Sequence, residues 1–233
     1  IGGLLKTTLL DYPGKVACTI FTSGCSYKCP FCHNRDLVYI PENYQFLDVD
    51  EIFQFLDKRK NILDGVCISG GEPLMQEKLI PFLKEIKKRG YDIKLDVTGN
   101  YLDRLKEIVD AKLVDYIAMD VKNTKEKYAL TVGSDAESFP VESMDACISY
   151  IRTCGISYEF RTTIVRELHT KEDLVAMAKW LKGVNAWYLQ QFQDSPNCIQ
   201  EGFHSYNKQE MLEILEAVKQ YVPNAEVRGV KED

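Results

Sequence analysis

Residues 16–36 read VACTIFTSGCSYKCPFCHNRD. The first seven, Val16 to Thr22, are apolar or β-branched, the composition of a buried strand, and the remainder is a loop carrying Cys25, Cys29 and Cys32. Gly24 permits an unusual dihedral just before the first sulfur and Pro30 fixes a backbone angle between the second and third, so a tight turn can aim three thiols inward. A strand that runs into a loop of chemically active side chains is the unit from which α/β folds are repeated.

The unit recurs along the chain. Strands are expected at Val16–Thr22, Gly65–Ser69, Ile93–Val97, Tyr116–Met119, Tyr158–Val165 and Trp187–Gln191, with helices near Val49–Leu63, Gln76–Arg89, Leu102–Ala111, Glu142–Thr153, Asp173–Leu181 and Lys208–Tyr221. Asp48 followed by Glu51 reads as a capping box, and Gly90 after Lys87, Lys88 and Arg89 as a helix stop. Repeated βα order calls for a mostly parallel sheet with right-handed crossovers. Six such units predict an α/β fold, a partial (β/α)6 TIM-like barrel built as one domain over residues 1–233. A doubly wound open sheet is the alternative.

Composition sets the limits. The chain has 233 residues, 45% of them hydrophobic, and 35 acidic against 29 basic side chains give a net charge of −6. That balance argues against a general nucleic-acid surface. No apolar run reaches the length of a membrane span, and the opening IGGLLKTTLLDYPGK lacks the pattern of a signal peptide, so a soluble, cytoplasmic protein is expected. Eight cysteines in a chain of this length are too sparse for a disulfide scaffold and fit a reducing compartment.

Thiolates are the ligands of iron–sulfur clusters, and a four-iron cube normally takes one cysteine for each iron. This loop supplies three, which leaves one iron open to an outside molecule, as catalytic zinc sites keep an open position. The competing reading is a Cys3His zinc site using His33, although structural zinc sites usually join separated ligand pairs and adjacent Cys32 and His33 are poorly placed to share one ion. In folds of this class functional groups gather at the carboxyl ends of the strands. The cysteine loop, SGGEP (Ser69–Pro73), DVTGN (Asp96–Asn100) and DVK (Asp120–Lys122) each follow a predicted strand, Arg161 lies within another, and Gln190 and Gln191 close the last. The least regular stretches, Thr124–Pro140 and Phe192–Asn207, are expected as loops over that end.

CxxxCxxC with Phe31 before the last cysteine, followed by GGEP, resembles the radical S-adenosylmethionine superfamily. The strings DYPGK, IFTSGC, CHNRD, KLDVTGN, AMDVK, EFRTTIV and LQQF further resemble its glycyl-radical-enzyme activases, above all the group that acts on anaerobic ribonucleoside-triphosphate reductase. The resemblance covers nearly the whole chain. It implies a 4Fe-4S cluster held by Cys25, Cys29 and Cys32, with S-adenosylmethionine on the fourth iron. Reductive cleavage of that cofactor then leads to removal of a hydrogen atom from a glycine of a large glycyl radical enzyme, with electrons from a low-potential donor such as flavodoxin or ferredoxin.

By the same resemblance, Gly70 and Gly71 offer backbone groups to the methionine amine, with Glu72 as acceptor and Pro73 stiffening the turn. Phe31, Asp96, Thr98, Asn100, Asp120, Lys122, Arg161 and Gln191 complete the cofactor set, Lys122 and Arg161 as catalytic charges, and a monovalent cation is expected near Asp96 and Asp120. Where related activases carry Asp-Thr-Asn-Gly, this chain reads Asp96-Val97-Thr98-Gly99, so the hydroxyl at the second position is missing. Tyr12, Tyr44, Phe46, Phe192, Phe203, His204 and Tyr206 are expected as an aromatic rim for the partner. The remaining cysteines read as small buried apolar residues. A radical enzyme acting on a small molecule, or a cluster-bearing electron carrier, would share the same triad.

Overall fold

The computed structural model describes residues 1–134 and 139–230. Eight strands form one sheet in chain order: β1 (Gly3–Thr8), β2 (Ala17–Thr22), β3 (Gly65–Gly70), β4 (Asp92–Val97), β5 (Tyr116–Asp120), β6 (Ser157–Ile164), β7 (Trp187–Gln191) and β8 (Ala225–Arg228). β1 runs antiparallel to β2, whereas β2–β3, β3–β4, β6–β7 and β7–β8 are parallel. The sheet is open, as expected of a partial barrel, and the six anticipated strands are all present. Two were not anticipated. β1 is an edge strand with Leu5, Lys6 and Thr7 exposed and so lacks a buried apolar run, and β8 has only four residues.

Among the described residues the helices are α1 (Arg35–Val38), α2 (Val49–Lys58), α3 (Leu79–Lys88), α4 (Leu102–Asp110), α5 (Tyr128–Thr131), α6 (Val141–Thr153), α7 (Lys171–Trp180) and α8 (Lys208–Lys219), with a 3-10 turn at Pro73–Met75. α5 interrupts the stretch read as a loop from Thr124, and residues 135–138 of that stretch lie outside the described residues. Asp48 caps α2 as expected, but through the Asp50 amide at 2.7 Å. The reciprocal boxes stand instead at Thr170 with Asp173 and at Asn207 with Glu210. Gly90 ends α3 at φ +86, its N–H donating to Lys87 O at 2.9 Å, a conformation that costs glycine nothing.

The backbone groups into two compact units. The first comprises Ile1–Ser26, Asp36–Ala118 and Ala146–Ser157. Its sheet strands β2, β3 and β4 bury Ile20, Val66, Ile68, Ile93 and Leu95 completely, and α2, α3 and α4 add Leu56, Leu83, Ile86, Leu105 and Ile108. Each such side chain contributes about 1.5–3 kcal/mol by leaving water. The second unit comprises Tyr27–Arg35, Met119–Asp145 and Tyr158–Asp233. Phe160, Trp187 and Leu189 are fully buried there with Met177 and Val218, and the Trp187 indole donates to Thr162 Oγ1 at 3.0 Å, which satisfies the one polar group that ring carries inward.

Candidate functional site

β2 delivers the chain to the cysteine loop, and the turn after β3 fastens it. Three successive carbonyls leading to Cys25 are each taken by that turn: Gly71 N–H donates to Thr22 O (2.9 Å), Gln76 Nε2 to Ser23 O (2.7 Å) and Glu72 N–H to Gly24 O (2.8 Å). Gly24 N–H in turn donates to Leu37 O at 2.6 Å, where the loop returns. The approach is so close that only glycine serves. A Cβ on Gly71 would lie 2.0 Å from Gly24 O, and one on Gly70, at φ +109, would lie 2.5 Å from the Thr22 backbone.

Glu72 is completely buried. Its Oε1 accepts from Leu74 N–H at 2.9 Å, and its Oε2 accepts from Thr98 N–H (2.7 Å) and Thr98 Oγ1 (2.5 Å), joining the turn to the end of β4. Pro73 opens the 3-10 turn that Glu72 caps. On β4, Asp96 accepts from Ser69 Oγ at 2.9 Å and pairs with the buried Lys94 ammonium at 2.5 Å. Asn100 Nδ2 reaches Ser26 Oγ at 3.4 Å, while its buried Oδ1 has no hydrogen-bond partner.

The second unit carries Cys29, which is buried, and Cys32, which is half-buried. Their loop is held by the segment after β7. Gln200 N–H donates to Pro30 O at 2.8 Å, the Cys198 thiol donates to Phe31 O at 3.7 Å, and His33 donates from Nε2 to Gln193 O at 2.6 Å while stacking on Phe192 with 5.4 Å between ring centres. At the end of β5, Asp120 receives Arg161 Nε and Lys122 Nζ, each at 2.9 Å. Burial alone would raise the Asp120 carboxyl, but the Arg161 and Lys122 charges outweigh it and hold the group well below the usual carboxylate range. Burial would likewise lower Lys122; the Asp120 carboxylate, and after it Cys29, raise its pKa above the usual ammonium range instead. Arg161 also faces Glu159 at 4.0 Å, and Glu159 is clasped by Arg228 at 3.1 Å.

Residues 19–181 match the Radical SAM superfamily. The chain belongs to that superfamily. A Methanocaldococcus jannaschii protein named for a glycyl-radical enzyme activating role is 30% identical over 239 residues, covering 99% of this chain and 96% of the relative. The pyruvate formate-lyase-activating enzyme of Clostridium pasteurianum is 29% identical over 76% of this chain and 73% of its own. In fold, the crystal structure of Streptococcus suis SuiB bound to S-adenosylmethionine superposes with a TM-score of 0.71 at 13% identity, covering 91% of this chain and 50% of that one. This radical SAM chain is thus an enzyme of the glycyl-radical-enzyme activating type, and its family works with a 4Fe-4S cluster and S-adenosylmethionine.

Asp96 pairs with Lys94, and Asp120 with Lys122 and Arg161. Gln191 donates to Tyr206 O at 2.7 Å and accepts from Gln193 at 3.2 Å, so both ends of its amide are engaged. Of the aromatic rim, Phe46 is 52% exposed, but Tyr12 and Phe192 are 2% and 1% exposed and belong to the core. Cys18 and Cys147 are pushed up to about 12 by burial, the latter helped by the nearby Glu72 charge, which keeps both as thiols. Cys154 donates to Ile151 O. Among the described residues no helix is long and apolar enough to cross a membrane.

Proposed function

We propose that Cys25, Cys29 and Cys32 each hold one iron of a 4Fe-4S cluster, that the Gly70–Gly71 backbone, braced from behind by buried Glu72, holds the methionine end of S-adenosylmethionine, and that the target is a glycine of anaerobic ribonucleoside-triphosphate reductase. The observation that carries the reading is the junction of Thr22–Gly24 with the Gly71–Gln76 turn. Two motifs more than forty residues apart in sequence are one hydrogen-bonded piece, so a ligand on the first is within the fixed framework of the second.

The donor set suits a cluster. Among the described residues no three His, Cys, Asp or Glu side chains converge on a single ion, and a cluster does not ask for that, since each thiolate takes its own iron. When bound, the cluster and S-adenosylmethionine supply a low-potential electron and the means to abstract a hydrogen atom. The chain's own contribution is positional and electrostatic. Asp120, held ionised by two cations, fixes Lys122 and Arg161 beside it, a charged set suited to a zwitterionic amino acid. Asn100 Oδ1 offers an acceptor, and Phe31 and Gln191 complete the cofactor-binding set. The family match spans parts of both units, which supports reading residues 1–233 as a single domain, working in the cytoplasm with a low-potential flavodoxin or ferredoxin.

Anaerobic reconstitution with iron and sulfide, reduction, and addition of S-adenosylmethionine and the reductase should give a glycyl doublet in electron paramagnetic resonance. Serine at Cys25, Cys29 or Cys32 should abolish it, and full activity in any of the three would refute the ligand assignment. A second partner, pyruvate formate-lyase, is favoured by the relative from Clostridium pasteurianum. Running both candidate enzymes side by side separates the two, because the doublet will form on one and not the other.

A further inference from the structure

We infer that Gln76 and Arg104 are positioning residues for the Cys25 end of the cluster loop. The inference rests on the reading of Cys25 as an iron ligand and goes beyond it to residues that touch neither cluster nor cofactor. Thr22 O and Gly24 O are held by backbone N–H groups of the turn, whereas Ser23 O, between them, is held by a side chain, Gln76 Nε2 at 2.7 Å. That amide is aimed from one step further out. On α4, Arg104 Nη2 donates to Gln76 O and to Glu77 O, each at 2.8 Å, fixing the backbone from which the Gln76 side chain projects.

Packing gives this junction little help. An apolar pocket of about 300 Å³ opens beside Thr22, Ser23 and Gln76, lined further by Val49, Phe53 and Phe82. Protein interiors hold a backbone by close contact on every side, and on this flank that contact is missing, so the Gln76 bond carries the constraint. Ser23 is two residues before Cys25, and a carbonyl that swings there turns the peptide planes that set the direction of the Cys25 side chain. Groups that orient metal ligands from behind are worth about 10- to 100-fold in metal affinity or activity.

The test uses the anaerobically reconstituted protein with Gln76→Met, which keeps length and loses the donor, and Arg104→Met, which acts one step removed. Three quantities are read: the half-time of iron loss to a chelator, the line shape of the reduced cluster in electron paramagnetic resonance with and without S-adenosylmethionine, and the thermal midpoint. Gln76→Met should shorten the half-time about tenfold and broaden the line shape, with the thermal midpoint near that of the parent. Arg104→Met should do the same to a smaller extent, and Arg104→Lys should recover part of the loss. Wild-type half-times and line shapes in both methionine variants, alongside a Cys25→Ser control that loses its cluster, would overturn the positioning role. So would a fall in thermal midpoint with no change in line shape, because that is the behaviour of a merely structural bond. A Cys25→Ser control that keeps its cluster would instead overturn the ligand reading beneath it.

Discussion

The two ends of the cysteine loop are secured by different means. At the entry, Thr22 and Gly24 lie backbone against backbone on the turn after β3, with Ser23 between them held by the Gln76 side chain, and glycine is required at positions 70 and 71 because no Cβ fits. At the exit, Pro30 to His33 are held through an aromatic stack, a thiol, an imidazole and one backbone amide from the segment after β7. Where backbone meets backbone, at Thr22 and Gly24, the first arrangement tolerates almost no change in shape, since backbone atoms cannot rotate away. The second has flexible side chains at every contact but one and can give way gradually. Rigidity belongs to the end nearest the proposed cofactor turn.

If that contrast is right, substitutions at the entry should be the most damaging. Gly71→Ala is expected to have the largest effect, a loss of several kcal/mol by overpacking, seen as failure to retain iron together with a large fall in the denaturation midpoint. Next comes Glu72→Gln, which presents an amide NH2 to donors that the carboxylate now accepts. One donor left unsatisfied in the interior costs about 1–3 kcal/mol, measurable by urea denaturation. At the exit, Phe192→Leu should cost about 1 kcal/mol through the lost stack on His33, with the reconstituted cluster still present; complete cluster loss in this variant would erase the distinction between the ends.

The smallest effect concerns pH. His169 is buried, receives the Val165 N–H at Nδ1 and donates from Nε2 to Lys122 O, and burial, outweighing those backbone bonds, lowers its pKa from 6.5. The unfolded chain therefore binds the proton more readily than the folded one as pH falls below 6.5. Stability should decline through that window, and His169→Gln should flatten the decline; an unchanged slope in the variant would assign the pH dependence elsewhere.

Much of this was legible from residue order. β3, β4 and β7 announce themselves because Val66 to Ile68, Ile93 and Leu95, and Trp187 and Leu189 are apolar and fully buried, and the spacing of the cysteine triad with GGEP carries the likeness that the family match bears out. What escaped notice has a common physical origin. β1 shows exposed Leu5 on an edge, so no burial pattern marks it. The fastening of Ser23, Pro30 and Phe31 runs through carbonyl oxygens, which every residue possesses and no residue type signals. Phe192 looked like a surface aromatic because its loop is irregular, whereas its ring lies against His33 in the interior. The buried pairing of Lys94 with Asp96 is likewise invisible in sequence, because strand order alone does not say which side chains two residues apart will meet.

Because every strand pairs with the next in sequence, the sheet can assemble in the order in which a ribosome delivers it. The thiols emerge early, but Pro30 and Phe31 wait for residues 198 and 200 before their carbonyls find partners. The exit side of the cysteine loop is accordingly completed only once the segment after β7 is in place.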